Sequence, residues 1–279
     1  MCEEINIYNK YKIENIIGKG KFGIVYKGYH LKTNKEIAIK KENNDTVVKI
    51  LKHETTILNY LYTNGCKCIP IVFWFGLYNN STYLVMTYYP CSLYDYRKKC
   101  KLEENEIQSI MIQMINILEH IHKHFVIHRD IKPHNFMMDE NNDLFLIDFG
   151  LSTIYIDDYN NHIQIEDSKE YIIGTPNYIS YNIHDGIIPS RRDDLISLGY
   201  IFLFLLLGSL PWEKSINEII QSEIVPPNHV LHSKNVYLKN QKTINNMDYS
   251  PCFTKYIQYC YNLEFDTDPK YYLLRHILE

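Results

Sequence analysis

The spacing of apolar residues changes period several times along the chain, and each change marks an element. Ile13, Ile16 and Ile17 sit in a stretch from Tyr11 that predicts a strand running into Gly18-Lys19-Gly20-Lys21-Phe22-Gly23. The β-rich run Ile24 to Tyr29 predicts a second strand, and Glu36-Ile37-Ala38-Ile39-Lys40 a third. The period then lengthens: Val47, Ile50, Leu51, Ile57, Leu58 and Leu61 predict a helix over 46–62. Two more strands follow over 71–77 and 82–88, joined by the turn pair Asn79-Asn80. Ile107, Ile110, Met111, Met114, Ile115, Leu118 and Ile121 place a buried-face helix from Glu103 to His124, and Leu144 to Ile147 reads as a short apolar strand. Leu195, Ile196, Leu198 and Ile201 to Leu207 are apolar around most of a helix, as expected of a central core helix.

Between the long helix and the core helix the chain reads HRDIKPHNF and then LFLIDFG. Asp130 is followed five residues later by Asn135 and, thirteen after that, by Asp148-Phe149-Gly150. Phosphoryl transfer from ATP needs such a set: Asp130 to take up the proton of an acceptor hydroxyl, Asn135 and Asp148 to hold magnesium on the phosphates. Lys132 can place a positive charge on the transferring phosphoryl group. A lone His-Arg-Asp is common by chance, and an isolated Asp-Phe-Gly is usually a turn after a strand. Their spacing, with the apolar strand just before Asp148, favours the chemical reading. Gly18, Gly20 and Gly23 would let a hairpin backbone lie close over phosphates, with Val25 beneath the adenine. The same glycine pattern can open a dinucleotide fold, but there a helix follows, and here a strand does.

At 279 residues the chain suffices for one large domain or two lobes. The net charge of −4 offers no basic excess for nucleic acid. The longest apolar run, Tyr200 to Leu207, is too short to cross a bilayer. Seven cysteines without framework spacing, and no signal peptide, predict a reducing cytosol, with nuclear access left open. Cys66-Lys67-Cys68 reads as ordinary thiols, and His120, His122, His124 and His128 as polar-face histidines rather than a metal site.

The stretch 128–150 resembles the catalytic loop and metal motif of eukaryotic protein kinases, and Lys132-Pro133 is similar to the serine/threonine branch. The resemblance implies an α+β, bilobal protein kinase fold: a small antiparallel-sheet N-lobe over 11–89 after a lead-in at 1–10, and a mainly helical C-lobe over 90–279. It further implies that Lys40 reaches the α- and β-phosphates with Glu54 as its partner, and that Ala38 packs on the adenine. Met86 becomes the gatekeeper, Thr87 and Tyr89 bond the adenine edge through their backbones, and Met137 joins the nucleotide site. Asp194 matches the aspartate that braces the catalytic loop, and Thr175 the threonine that bonds Asp130 and Lys132. ATP and Mg2+ are the implied cofactors, and a protein substrate met by a monomer the implied partnership.

Within that family, Tyr178-Ile179-Ser180 stands where most members carry Ala-Pro-Glu. Together with RRDDLISLGY, LPW, Trp74-Phe75-Gly76, Ser92-Leu93 and the tail from Tyr259 to Arg275, this resembles casein kinase I. One departure stands out: Asn177 occupies the place of an arginine, and residues 151–173 hold Asp157, Asp158, Glu166, Asp167 and Glu170 against Lys169 alone. Such a loop should repel acidic or phosphorylated substrates. The loop acids are also expected to serve as the negative partner of Arg129, giving constitutive activity. A pseudokinase would lack the lysine, the base or the metal aspartate, and none is missing. A small-molecule kinase would share the catalytic residues, but Lys132-Pro133, the Gly174-Thr175 segment and the core helix point to protein substrates.

Overall fold

The computed structural model describes residues 6–20, 23–43, 49–164, 173–213, 239 and 249–279. Two compact units emerge, one from Met1–Cys91 with Met137–Gly150, the other from Ser92–Phe136 with Leu151–Glu279. The first is mainly antiparallel sheet and the second mainly helical, an α+β arrangement.

In the first unit β1 (Asn6–Ile7), β2 (Tyr11–Gly20), β3 (Gly23–His30), β4 (Lys35–Asn43), β5 (Val72–Tyr78) and β6 (Ser81–Thr87) form one sheet in the order β1-β2-β3-β4-β6-β5. Alternation puts Ile7, Tyr11, Ile37, Ile39, Tyr83 and Val85 into a common core. The β5–β6 turn is two residues long, and Asn79 and Asn80 both take positive φ (43° and 58°). That conformation matches the twist of a tight hairpin, and asparagine tolerates it best after glycine.

Helix α1 (Ile50–Thr63) buries Leu51, Glu54, Ile57, Leu58 and Leu61. Part of the expected start of this helix, with Val47, lies outside the described residues. The strands Phe136–Met138 and Leu144–Leu146 are neighbours, and the Leu146 N–H donates to the Cys68 carbonyl at 3.0 Å.

The second unit holds α2 (Leu93–Lys99), α3 (Glu104–Lys123), α4 (Tyr181–His184), α5 (Arg191–Leu207), α6 (Pro251–Tyr261) and α7 (Tyr271–Leu278). A capping box between Glu103 and Glu106 starts α3. Helix α5 is buried on nearly every side and stops at Gly208, whose φ of 81° suits a residue without a side chain. At Gly199 a Cβ would sit 2.7 Å from Ile257 Cδ1, so the missing side chain lets α5 and α6 pack closely. No helix among the described residues is long and apolar enough to cross a membrane.

The polar-face reading fails for two histidines, His122 and His128; His128 lies beyond α3 and is fully buried. His122 belongs to the buried face of α3, because its two ring nitrogens have partners inside: Asp194 Oδ2 at 3.0 Å and the Tyr271 hydroxyl at 2.6 Å. Periodicity marks a polar residue as outward-facing unless its hydrogen bonds are met within the core.

Candidate functional site

In the first unit the glycine-spaced hairpin closes where Gly20 pairs with Gly23. Gly23 has a φ of +145°, and a Cβ there would lie 2.1 Å from the Lys41 carbonyl, so only glycine fits. Gly18 pairs with Val25 farther along the same hairpin. Lys21 and Phe22 at its tip lie outside the described residues.

Lys40 on β4 reaches across to two carboxylates, Glu54 Oε1 at 2.6 Å and Asp148 Oδ1 at 2.8 Å. Burial works against the lysine cation, but the Asp148 and Glu54 charges outweigh it and hold its pKa above the ordinary value. Glu54, 1% exposed, also has a raised pKa, because burial outweighs the pull of Lys40 and the Phe149 N–H. Asp148 adopts a φ of 69°, a conformation rare for any residue but glycine, asparagine or aspartate.

Gly20, Gly23, Val25, Lys40, Glu54 and Asp148 border a cavity of about 110 Å³. A second cavity of about 150 Å³ is bordered by Val25, Ala38, Met86, Thr87, Tyr89 and Met137. Every expected nucleotide residue except Gly18 therefore faces one of these two spaces. The Thr87 N–H donates to the Ile71 carbonyl at 3.1 Å.

In the second unit Asp130 is the hub. Its Oδ1 accepts from Thr175 Oγ1 at 2.6 Å, and its Oδ2 from Lys132 Nζ at 2.6 Å and Asn135 Nδ2 at 3.2 Å. Lys132 Nζ also donates to Thr175 Oγ1 at 3.0 Å, and Asn135 Nδ2 to the Asp130 carbonyl at 2.9 Å. The amide nitrogen of Asn135 is thus committed to Asp130, and Oδ1 is the atom it can offer to a cation.

The loop carrying these residues is braced from below by Asp194 on α5. Its Oδ2 accepts from the His128 N–H at 2.7 Å and its Oδ1 from the Arg129 N–H at 3.0 Å. These bonds hold Arg129 at a φ of 67°. Burial opposes the Asp194 charge, yet the His122 bond and the backbone donors outweigh it and lower its pKa.

The Arg129 guanidinium departs from expectation. Nε donates to the Leu151 carbonyl at 2.5 Å and Nη2 reaches the Ser152 carbonyl at 3.5 Å, so among the described residues backbone oxygens take the place foreseen for loop acids. Asp157 is spent on its own turn, accepting from Tyr159 and Asn161 N–H groups at 2.9 and 2.8 Å. Glu166, Asp167, Lys169 and Glu170 lie outside the described residues.

Three contributors escaped the sequence reading. His122 and Tyr271 extend the Asp194 network, and Lys239 reaches the backbone after Thr175. A histidine in the periodic apolar stretch of α3 was a usable signal; nothing in the local sequence marks Lys239. A family model described as a protein kinase domain matches residues 11–268.

Proposed function

Because this chain belongs to the protein kinase family, we propose that it is a serine/threonine kinase of casein kinase I type, using ATP and magnesium to phosphorylate protein hydroxyls. Residues 11–279 form one catalytic domain in this reading, with 11–89 as the N-lobe and 90–279 as the C-lobe. The observation that carries it is the contact of Thr175 Oγ1 with both Asp130 and Lys132. It fixes the base and the cation beside it at the start of a segment suited to presenting a peptide.

Asp130 orients the acceptor hydroxyl and takes its proton as the new oxygen–phosphorus bond forms. The bond from the γ-phosphorus to the β–γ bridging oxygen breaks, and its electron pair leaves with ADP. Lys132 stabilises charge on the transferring group. Lys40, fixed by Glu54, orients the α- and β-phosphates, while Gly18, Gly20 and Gly23 let backbone approach them. Ala38, Val25, Met86 and Met137 enclose the adenine, and backbone of Thr87 and Tyr89 reads its edge. Asn135 and Asp148 suit magnesium because both present hard oxygen donors. Magnesium held there would supply charge to neutralise phosphate oxygens.

Tyr178-Ile179-Ser180, RRDDLISLGY and the tail support the casein kinase I assignment. Asn177, with Asp157 and Asp158 in the loop, supports a weakened preference for acidic or primed substrates. Paired peptides with and without an upstream phosphoserine should react at similar rates; strong preference for the primed one overturns this point.

The experiment for the main reading is transfer from γ-labelled ATP to casein and to myelin basic protein, wild type beside Asp130→Asn. Phosphoserine or phosphothreonine formed by the wild type alone supports it. Absence of transfer by the wild type, with nucleotide still bound, replaces the enzyme by a binding module.

A further inference from the structure

Lys239 is 0% exposed, and no carboxylate reaches it among the described residues. Its Nζ donates to the Pro176 carbonyl at 2.5 Å and the Ile179 carbonyl at 3.0 Å, and lies 3.1 Å from His184 Nε2. Three ammonium hydrogens thus have three acceptors. The rings of Tyr200 and Trp212, with centroids 5.3 and 5.5 Å from Nζ, cover the remaining directions. The Lys239 carbonyl is itself held by the Tyr261 hydroxyl at 3.0 Å.

A buried ammonium without a counter-ion is a costly core residue, and burial drags its pKa well down. An apolar side chain would fill the space at lower cost. What the lysine alone supplies is a fan of donors aimed at the backbone that follows Thr175. Trp212 adds to it, its Nε1 donating to the Asn177 carbonyl at 2.8 Å. Carbonyls 176, 177 and 179 are therefore gripped by side chains that come later in the chain than α5.

We propose that Lys239 is a positioning residue for the phosphoacceptor. By gripping the carbonyls of Pro176 and Ile179 it fixes the segment on which a peptide rests, and through Thr175 it sets the direction of the Asp130 carboxylate. The inference rests on the kinase reading above. It concerns acceptor presentation only and leaves nucleotide affinity untouched.

Lys239→Met keeps length and volume but donates nothing. In the full chain it should lower kcat/KM for peptide at least tenfold while the KM for ATP stays within twofold. The amides of Tyr178 and Ile179, which bond the Thr175 carbonyl at 2.8 and 3.1 Å, should exchange hydrogen at least tenfold faster. Unchanged peptide kinetics with unchanged exchange overturns the proposal. So does an equal loss for ATP and peptide, which would make Lys239 a stability residue only.

Tyr261→Phe is the milder second variant, loosening the lysine backbone without removing the amine. It should move the peptide parameters in the same direction by a few fold, and if Lys239→Met does not fold, unchanged kinetics in Tyr261→Phe overturns the idea. Failure of the wild type to transfer phosphate refutes the kinase reading instead, and the exchange measurement then decides on Lys239 alone.

Discussion

Lys40 stands between two carboxylates, and either would be left without its cation if it were removed. Lys40→Met should therefore cut peptide phosphorylation by 10²–10³, on the order of 3–4 kcal/mol of transition-state stabilisation, while the protein stays folded; steady-state assays with a circular-dichroism check measure it. Asp194 is the opposite case, a residue whose loss is felt first in stability. It accepts two backbone N–H groups and a histidine in a fully buried place, so Asp194→Ala should cost about 3–5 kcal/mol in denaturant unfolding.

Because the folded pKa of Asp194 lies below its ordinary 3.8, its contribution is present above that pH and lost as pH falls through the folded value. Asp130, Asn135 and Asp148 could be named as candidates because their spacing is short and the proposed chemistry needs those residue types. His122 and Lys239 could not, since the partners that give them meaning lie 72 and 55 or more residues away.

At the scale of elements, α3 and the β5–β6 hairpin were readable because one face of each is apolar or one turn demands a positive φ. The start of α1 was harder, because Lys49 offers no capping side chain to mark it. Helix α5 was recognised from the near absence of a polar face, though the sequence could not say which neighbours fill that environment. The β2–β3 hairpin gives the sharpest test. Gly23→Ala meets both a positive φ and a carbonyl at 2.1 Å, a strain of about 1–3 kcal/mol. A lower Tm together with a raised KM for ATP is the expected outcome, whereas Gly20→Ala, with nothing within 4 Å of its added carbon, should leave the Tm unchanged.

For the whole molecule, the division into a sheet unit and a helical unit follows from the change of period along the chain. The return of Met137–Gly150 to the first unit does not, because no local pattern says which sheet a three-residue strand will join. The acid limit of stability is also a property of the whole. Burial, then the charge of Lys239, pushes the pKa of His184 down to about 2 from 6.5. The unfolded chain therefore binds a proton that the folded chain refuses, so this contribution is complete above pH 6.5 and is lost as pH falls toward the folded value. Unfolding free energy should drop by about 1.4 kcal/mol per pH unit from this group as pH falls below 6.5, and the loss should end at the folded value. His184→Gln should flatten that slope, as chemical denaturation at a series of pH values would record.

The bonds already made by Asp130 have a consequence for economy under the proposed mechanism. With Thr175 on one oxygen of Asp130 and Lys132 and Asn135 on the other, few lone pairs face an acceptor, and those are aimed in a set direction. Under the proposed mechanism a peptide would deliver its hydroxyl along that direction, whereas water has no attached backbone to hold it there. Under the proposed mechanism, that occupancy of the carboxylate would disfavour transfer of the phosphoryl group to water. Thr175→Ala should raise the ratio of ATP hydrolysed to peptide phosphorylated, a leak that a coupled ADP assay run with and without peptide would reveal.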